Sequence, residues 1–184
     1  MYLMFVRAYT KIVFSDGSIN GYVIMKYRKL SERDQEFASE LIFSASQEGN
    51  LDPDLAKNPK LISALVTSYA FFGRDGFSGA VVNTNICTHK GKPVGLTVIK
   101  PNAQKNLTVI SMLVVSPELR GKGFGTQMLQ DCISRATNFS EMVAVCRYES
   151  SVFMSMLENT GFTPRARQSI GVLYAKSTKS PLIL

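Results

Sequence analysis

The segment Val114-Val115-Ser116-Pro117-Glu118-Leu119-Arg120-Gly121-Lys122-Gly123-Phe124-Gly125-Thr126 constrains the fold more than any other part of the chain. A β-branched, apolar run from Asn106 to Ser116 leads into it. After it, Met128, Leu129, Cys132, Ile133 and Ala136 recur at helical spacing, so the segment reads as strand, glycine-rich turn, helix. That order makes a phosphate-binding arrangement. Glycines let the backbone approach a diphosphate without a Cβ in the way, and the helix start supplies free amides and a partial positive charge. Arg120 and Lys122 add full charges. Two other phosphate loops do not fit these letters: Gly121-Lys122 is followed by Gly123 where a Walker A loop needs Ser or Thr, and Thr126 stands where a dinucleotide fingerprint needs its third glycine.

The rest of the chain alternates strands and helices. Met4–Phe14 and Tyr22–Arg28 are rich in β-branched and aromatic residues around the turn Ser15-Asp16-Gly17-Ser18, which predicts a loose hairpin. Ser31 precedes a helix with Phe37, Leu41, Ile42 and Ala45 on one face, and Asn58-Pro59 opens another carrying Leu61, Ile62, Leu65, Val66 and Tyr69. Strands are expected at Ser78–Thr88 and Pro93–Lys100, joined by His89-Lys90-Gly91-Lys92, and at Met142–Tyr148. Ser150 is expected to cap a helix bearing Val152, Phe153, Met156 and Leu157, with Gly161 at its left-handed end, before strands at Phe162–Arg167 and Ser169–Lys176. This order, β-α-α-β-β-β-α-β-α-β-β, predicts a three-layer α/β fold: a mixed, mostly antiparallel central sheet with helices on both faces.

At 184 residues the chain suits one main domain, expected over 22–176, with an N-terminal extension (1–21) holding an extra strand and a C-terminal tail (177–184). No run approaches the roughly 20 apolar residues of a membrane span, and the N-terminus lacks the pattern of a secretory signal, so the expectation is a cytoplasmic protein with no membrane partner. Three widely spaced cysteines, Cys87, Cys132 and Cys146, fit neither a disulfide framework nor a zinc site, and the single histidine, His89, has no acidic neighbour; no metal is expected. The net charge of +7 is spread along the chain. It suits an anionic ligand, and it keeps open a nucleic-acid-binding module, although no basic stripe with interleaved aromatics supports one.

The loop resembles the signature of the GCN5-related N-acetyltransferases, an Arg or Gln, two residues, Gly, one residue, then Gly or Ala, matched by Arg120, Gly123 and Gly125. Val115 and Pro117 match that family's approach to the loop, and Gly161-Phe162 its later helix-to-strand junction. The resemblance in element order covers roughly residues 22–176. It implies a GNAT-like fold with acetyl-CoA as co-substrate, lying between the strands Asn106–Ser116 and Met142–Tyr148. The pantetheine would bond backbone at Leu113, Val114 and Val115, and the diphosphate would meet Arg120, Gly121, Lys122, Gly123, Phe124, Gly125 and Thr126.

The resemblance is incomplete where relatives carry acid and base. The strand before the loop has no carboxylate, and Ser111 could at most hold a water. The place of the usual proton-donating tyrosine is taken by Leu157. Tyr148 and Glu149 are the nearest polar substitutes by sequence, with Glu36 and Glu40 further off. An acetyl-enzyme on Cys146 lacks a histidine to activate the thiol. Direct attack by a primary amine within a ternary complex is therefore expected, on an acceptor that the letters do not identify: small molecule, peptide, protein or aminoacyl-RNA. A non-catalytic coenzyme-binding or sensing domain is the alternative.

Overall fold

In the computed structural model, residues 25–136 and 138–178 are described, together with the backbone of two short strands, β1 (Ser18–Ile19) and β2 (Tyr22–Val23), which pair antiparallel. The strand expected at Met4–Phe14 lies outside the described residues. Tyr22–Arg28 is two strands rather than one, because β2 pairs with β1 whereas β3 (Lys26–Lys29) pairs with a different neighbour.

After β3 the chain forms a 3₁₀ turn at Glu32–Asp34 and helices α1 (Gln35–Gln47), α2 (Pro53–Lys57) and α3 (Pro59–Thr67), the last running into a π-helical turn at Ser68–Phe72. Strands β4 (Asn83–His89), β5 (Lys92–Asn102) and β6 (Leu107–Val115) follow. The β4–β5 hairpin turns on Lys90 and Gly91, whose φ of 50° and 79° suit the right-handed twist of the strands they join. Helix α4 (Phe124–Arg135), β7 (Glu141–Arg147), α5 (Ser151–Asn159), β8 (Thr163–Gln168) and β9 (Gly171–Ser177) complete the fold. The main sheet has seven strands in the order β3-β4-β5-β6-β7-β9-β8. Its pairs are antiparallel except β6–β7, where the α4 crossover returns the chain to run alongside β6.

Helices cover both faces. Leu41, Ile42 and Ala45 of α1 and Ile62, Leu65 and Val66 of α3 pack on Ile86, Leu96, Val98 and Val114. On the other face Leu129 and Cys132 of α4 and Leu157 of α5 pack on Ile110, Met142, Ala144 and Cys146. Each fully buried side chain of this kind contributes about 1.5–3 kcal/mol. Gly95 on β5 lets α4 sit close: a Cβ there would lie 2.7 Å from the Val114 carbonyl oxygen and 2.9 Å from Met128 Sδ. Among the described residues no helix is long and apolar enough to cross a membrane.

Three expectations need correction. The five-residue α2 is additional, too short for a periodic signal. The strand expected from Ser78 begins at Asn83, because Asp75 captures the preceding loop. Its carboxylate is 3% exposed, pairs with Lys100 Nζ at 2.7 Å and accepts from Phe77 N at 3.1 Å and Ser78 N at 2.8 Å. Ser150 precedes α5, yet its hydroxyl makes no capping bond and donates instead to Asn50 Oδ1 at 3.1 Å.

Candidate functional site

The site begins with a strand pair that stops pairing. Leu107–Ile110 of β6 align with Glu141–Ala144 of β7, and beyond that the two strands have no ladder although both continue. The cause is local. Opposite β5, Met112 pairs with Val98 and Ile110 with Ile99, which leaves Ser111 as an extra residue, a β-bulge. The bulge also shifts the alternation: Ile110 faces the α4–α5 core, and after the bulge Met112 and Val114 face the α1–α3 core. A bulge bends its strand, and here β6 leaves β7.

The wedge so opened is a cavity of about 860 Å³. Its walls are the free side of β6 from Ile110 to Val115, Val145 and Cys146 of β7, and Phe153 and Met156 of α5. At its upper end lies the glycine loop. A 3₁₀ turn at Pro117–Leu119 ends in extended Arg120, and Gly121 and Gly123 take φ of 73° and 83°. Gly123 is the N-cap of α4. Open space surrounds the position of its missing Cβ, so its need for glycine is the left-handed backbone rather than room. The first amides of α4 have no acceptor within the helix and point toward this end.

The sequence-predicted residues separate into groups here. Leu113, Val114, Val115, Arg120, Gly121, Gly123, Gly125 and Thr126 all line the cavity. Phe124 does not: its ring is buried in the core and meets His89 edge-on at 5.4 Å between centroids, which leaves only its backbone to the loop. Lys122 turns back, donating Nζ to the Glu118 carbonyl at 3.0 Å. Glu149 lines the cavity, with Oε2 at 3.6 Å from Arg147 Nε. Tyr148 is 48% exposed, lies outside the lining, and donates its hydroxyl to the Gln168 carbonyl at 2.9 Å, which ties it to β8. Cys146 reaches the cavity wall, but burial pushes its thiol pKa up to about 12, so it is no ready nucleophile. Leu157 is fully buried and serves packing. Glu36 and Glu40, exposed on α1, are not in the lining.

Sequence reasoning missed the end of α1. Gly49, with φ of 75°, terminates the helix, with Asn50 N bonded to Ala45 O at 2.9 Å and Gly49 N to Ser46 O at 3.1 Å. This fixed corner sets Glu48 against the loop: Arg120 Nη1 lies 2.6 Å from Glu48 Oε2, and Arg120 Nε donates to the Val115 carbonyl at 3.3 Å. Asn50 and Leu51 join the lining. The one available signal was Gly49 itself, just past the apolar stripe of α1, where helices commonly stop.

Among the described residues no group of three or more His, Cys, Asp or Glu side chains could hold a metal ion. The chain's fold is similar to that of several solved acetyltransferases. Spermidine N-acetyltransferase from Vibrio cholerae, solved with CoA and spermine, matches with a TM-score of 0.68 at 13% identity, over 84% of this chain and 95% of that one. PaiA N-acetyltransferase from Thermoplasma acidophilum, solved with coenzyme A, matches with a TM-score of 0.63 at 16% identity, over 84% and 99%. The ribosomal-protein-S18-alanine N-acetyltransferase from Escherichia coli matches with a TM-score of 0.58 at 13% identity, over 88% and 99%. No curated protein matches the chain in sequence. The sequence profile of the Acetyltransferase (GNAT) family, however, matches residues 35–154, and with well over half of its length so covered the chain belongs to that family.

Proposed function

We propose that the protein transfers the acetyl group of acetyl-CoA to a primary amine by direct attack in a ternary complex. The observation that carries this reading is one continuous cavity, running from the amide-rich start of α4 down the unpaired side of β6. Membership of an acetyltransferase family, and relatives solved with CoA, support the co-substrate. On this reading the backbone of Leu113, Val114 and Val115 holds the pantetheine amides, much as a neighbouring strand would. Arg120 and the loop Gly121–Thr126 hold the diphosphate, with Lys122 able to leave the Glu118 carbonyl, an exposed partner, for a phosphate.

The amine nitrogen attacks the thioester carbon, the C–S bond breaks, and CoA leaves as thiolate. The amine must first lose its proton. Glu149 is our candidate base because it alone of the two sequence-derived candidates lines the cavity; Tyr148 is committed to the Gln168 carbonyl. With Leu157 buried where relatives carry a donor, the thiolate takes its proton from water, which an ordinary thiol pKa of about 8.5 permits. The acceptor is a primary amine on a small molecule, peptide, protein or aminoacyl-RNA. Relatives illustrate two of these classes, spermidine and a ribosomal-protein alanine. A second reading, a coenzyme binder without turnover, is favoured by the missing carboxylate on β6.

The test is calorimetry with acetyl-CoA, followed by thiol release against a panel of amines across pH. Binding and turnover that rise with pH are expected, with Glu149→Gln losing on the order of a hundredfold and Tyr148→Phe nearly unchanged. Binding without turnover on any amine selects the second reading. No binding removes both.

A further inference from the structure

The end of α1 ties together both lips of the wedge. Arg120, after β6, meets Glu48 at 2.6 Å; Arg147, ending β7, donates Nε to the Gly49 carbonyl at 3.0 Å; Ser150, before α5, donates to Asn50 Oδ1 at 3.1 Å. Three consecutive residues therefore span the opening. The Glu48 carboxylate has the most partners, accepting also from Ser44 Oγ at 3.2 Å and Asn50 Nδ2 at 2.9 Å. Partial burial opposes its charge, but the Arg120, Ser44 and Asn50 hydrogen bonds outweigh that and hold its carboxyl below the usual carboxylate range.

Arg120 thus has two claimants. The diphosphate reading asks for its guanidinium, and in this structure that guanidinium lies on Glu48. Arg120 meets Glu48 through Nη1 alone, and a diphosphate that takes the guanidinium as a bidentate pair draws that nitrogen from Glu48, so the two anions compete for it. We propose that Glu48 sets the order of binding: it holds Arg120 in the coenzyme-free protein, yields it to the diphosphate, and then offers the released carboxylate to the ammonium of a cationic acceptor. This inference rests on the coenzyme reading above. When Arg120 leaves, Ser44 and Asn50 still hold the carboxylate in place, so one cation is exchanged for another with no rebuilding of the corner.

The charge distribution agrees. Seven of the chain's 14 acidic side chains fall between residues 32 and 54, against a single cation there, Arg33, in a chain whose net charge is +7. The segment runs through the 3₁₀ turn, α1 and the start of α2; Asp34 is taken up by Arg28 and Asp54 by Lys57, and Ala45, Asn50 and Leu51 bring the segment to the cavity. An anionic coenzyme is drawn to the basic loop and a cationic acceptor to the acidic corner, which keeps the two from contending for one field.

The experiment titrates CoA into the full chain, wild type against Glu48→Gln, an isostere whose amide oxygen can keep the Asn50 Nδ2 bond while its Nε2 donates to the Ser44 hydroxyl. CoA should bind the variant about two- to fivefold tighter, the range that a half-exposed ion pair is worth. Pantetheine, which lacks the diphosphate, should bind both proteins alike. Spermine, as a cationic probe, should bind wild type appreciably only when CoA is present, and Glu48→Gln weakly with or without it. Unchanged CoA affinity in Glu48→Gln, or spermine binding to wild type that ignores CoA, overturns the proposal. Should Glu48→Gln fail to fold, Arg120→Gln carries the test: it frees Glu48 without coenzyme, so spermine should bind the coenzyme-free variant, and failure to do so overturns the proposal. A wild type that binds no CoA is a different result, and it overturns the coenzyme reading itself.

Discussion

The two ends of the β6–β7 pair are made from similar β-branched and small apolar residues, yet they do opposite things. From Leu107 to Ile110 the ladder is closed and Ile110, Met142 and Ala144 are buried in one core. From Ser111 to Val115 the ladder is open and the same strand lines a cavity. Side-chain chemistry does not separate the ends; one inserted residue does. A binding cleft here is a place where a sheet is kept from finishing, held by a bulge on one side and by the α1 corner across the opening.

Removing Ser111 should erase the difference, and this is the largest effect expected. Deletion leaves Ile110 opposite Ile99 and Met112 opposite Val98 with no extra residue between them, so the bend is removed while Met112 and Val114 still face the α1–α3 core. Thermal denaturation should show a stable fold and calorimetry should show no CoA binding. A stable deletion variant that bound CoA normally would mean that the bulge does not open the wedge.

Asp75 tests the closed side of the molecule. Burial works against its charge, but Lys100 and the Ser78 donors hold its pKa down at about 2. A depressed carboxylate pKa contributes stability above its unfolded value of about 3.9, and that contribution is lost as pH falls through about 2. Asp75→Asn should therefore cost about 2 kcal/mol at neutral pH, flatten the acid unfolding profile between about pH 4 and 2, and leave CoA affinity alone. A matching loss of CoA affinity would show that the two regions are coupled.

The smallest effect belongs to the loop. Gly123→Val forces a β-branched residue to a φ of 83°, and should weaken CoA about tenfold while the fold holds. Arg120→Ala should cost less, about threefold, because Lys122 remains and Glu48 no longer has to be displaced. Calorimetry on both variants reads the order; equal affinities would place the cradle elsewhere.

Much of this molecule was legible in its letters, and the limits have physical causes. The helical stripes of α1, α3 and α4 and the strand–loop–helix at 106–136 announce themselves because periodicity and glycine spacing are local properties. The bulge at Ser111 is invisible because it is a matter of register against β5, and a strand carries no mark of its partner's alignment. Tyr148 and Glu149 are adjacent in sequence and point to different neighbours, Gln168 and the cavity, which only the folded β7–α5 turn decides. Glu48 is missed for the same reason: its partner Arg120 is 72 residues away.

The open end of β6 has one more consequence, for what the wedge can admit. Its backbone groups toward β7 have no strand partner, so solvent or a guest must satisfy them. A guest that enters strips that hydration. A chain carrying amides at strand-like intervals gives back each lost hydrogen bond, whereas an aliphatic chain of equal length leaves peptide groups orphaned at about 1–3 kcal/mol apiece. Dehydration thus acts as a sieve, and the unfinished sheet selects among long, thin ligands by their polarity before any side chain has touched them.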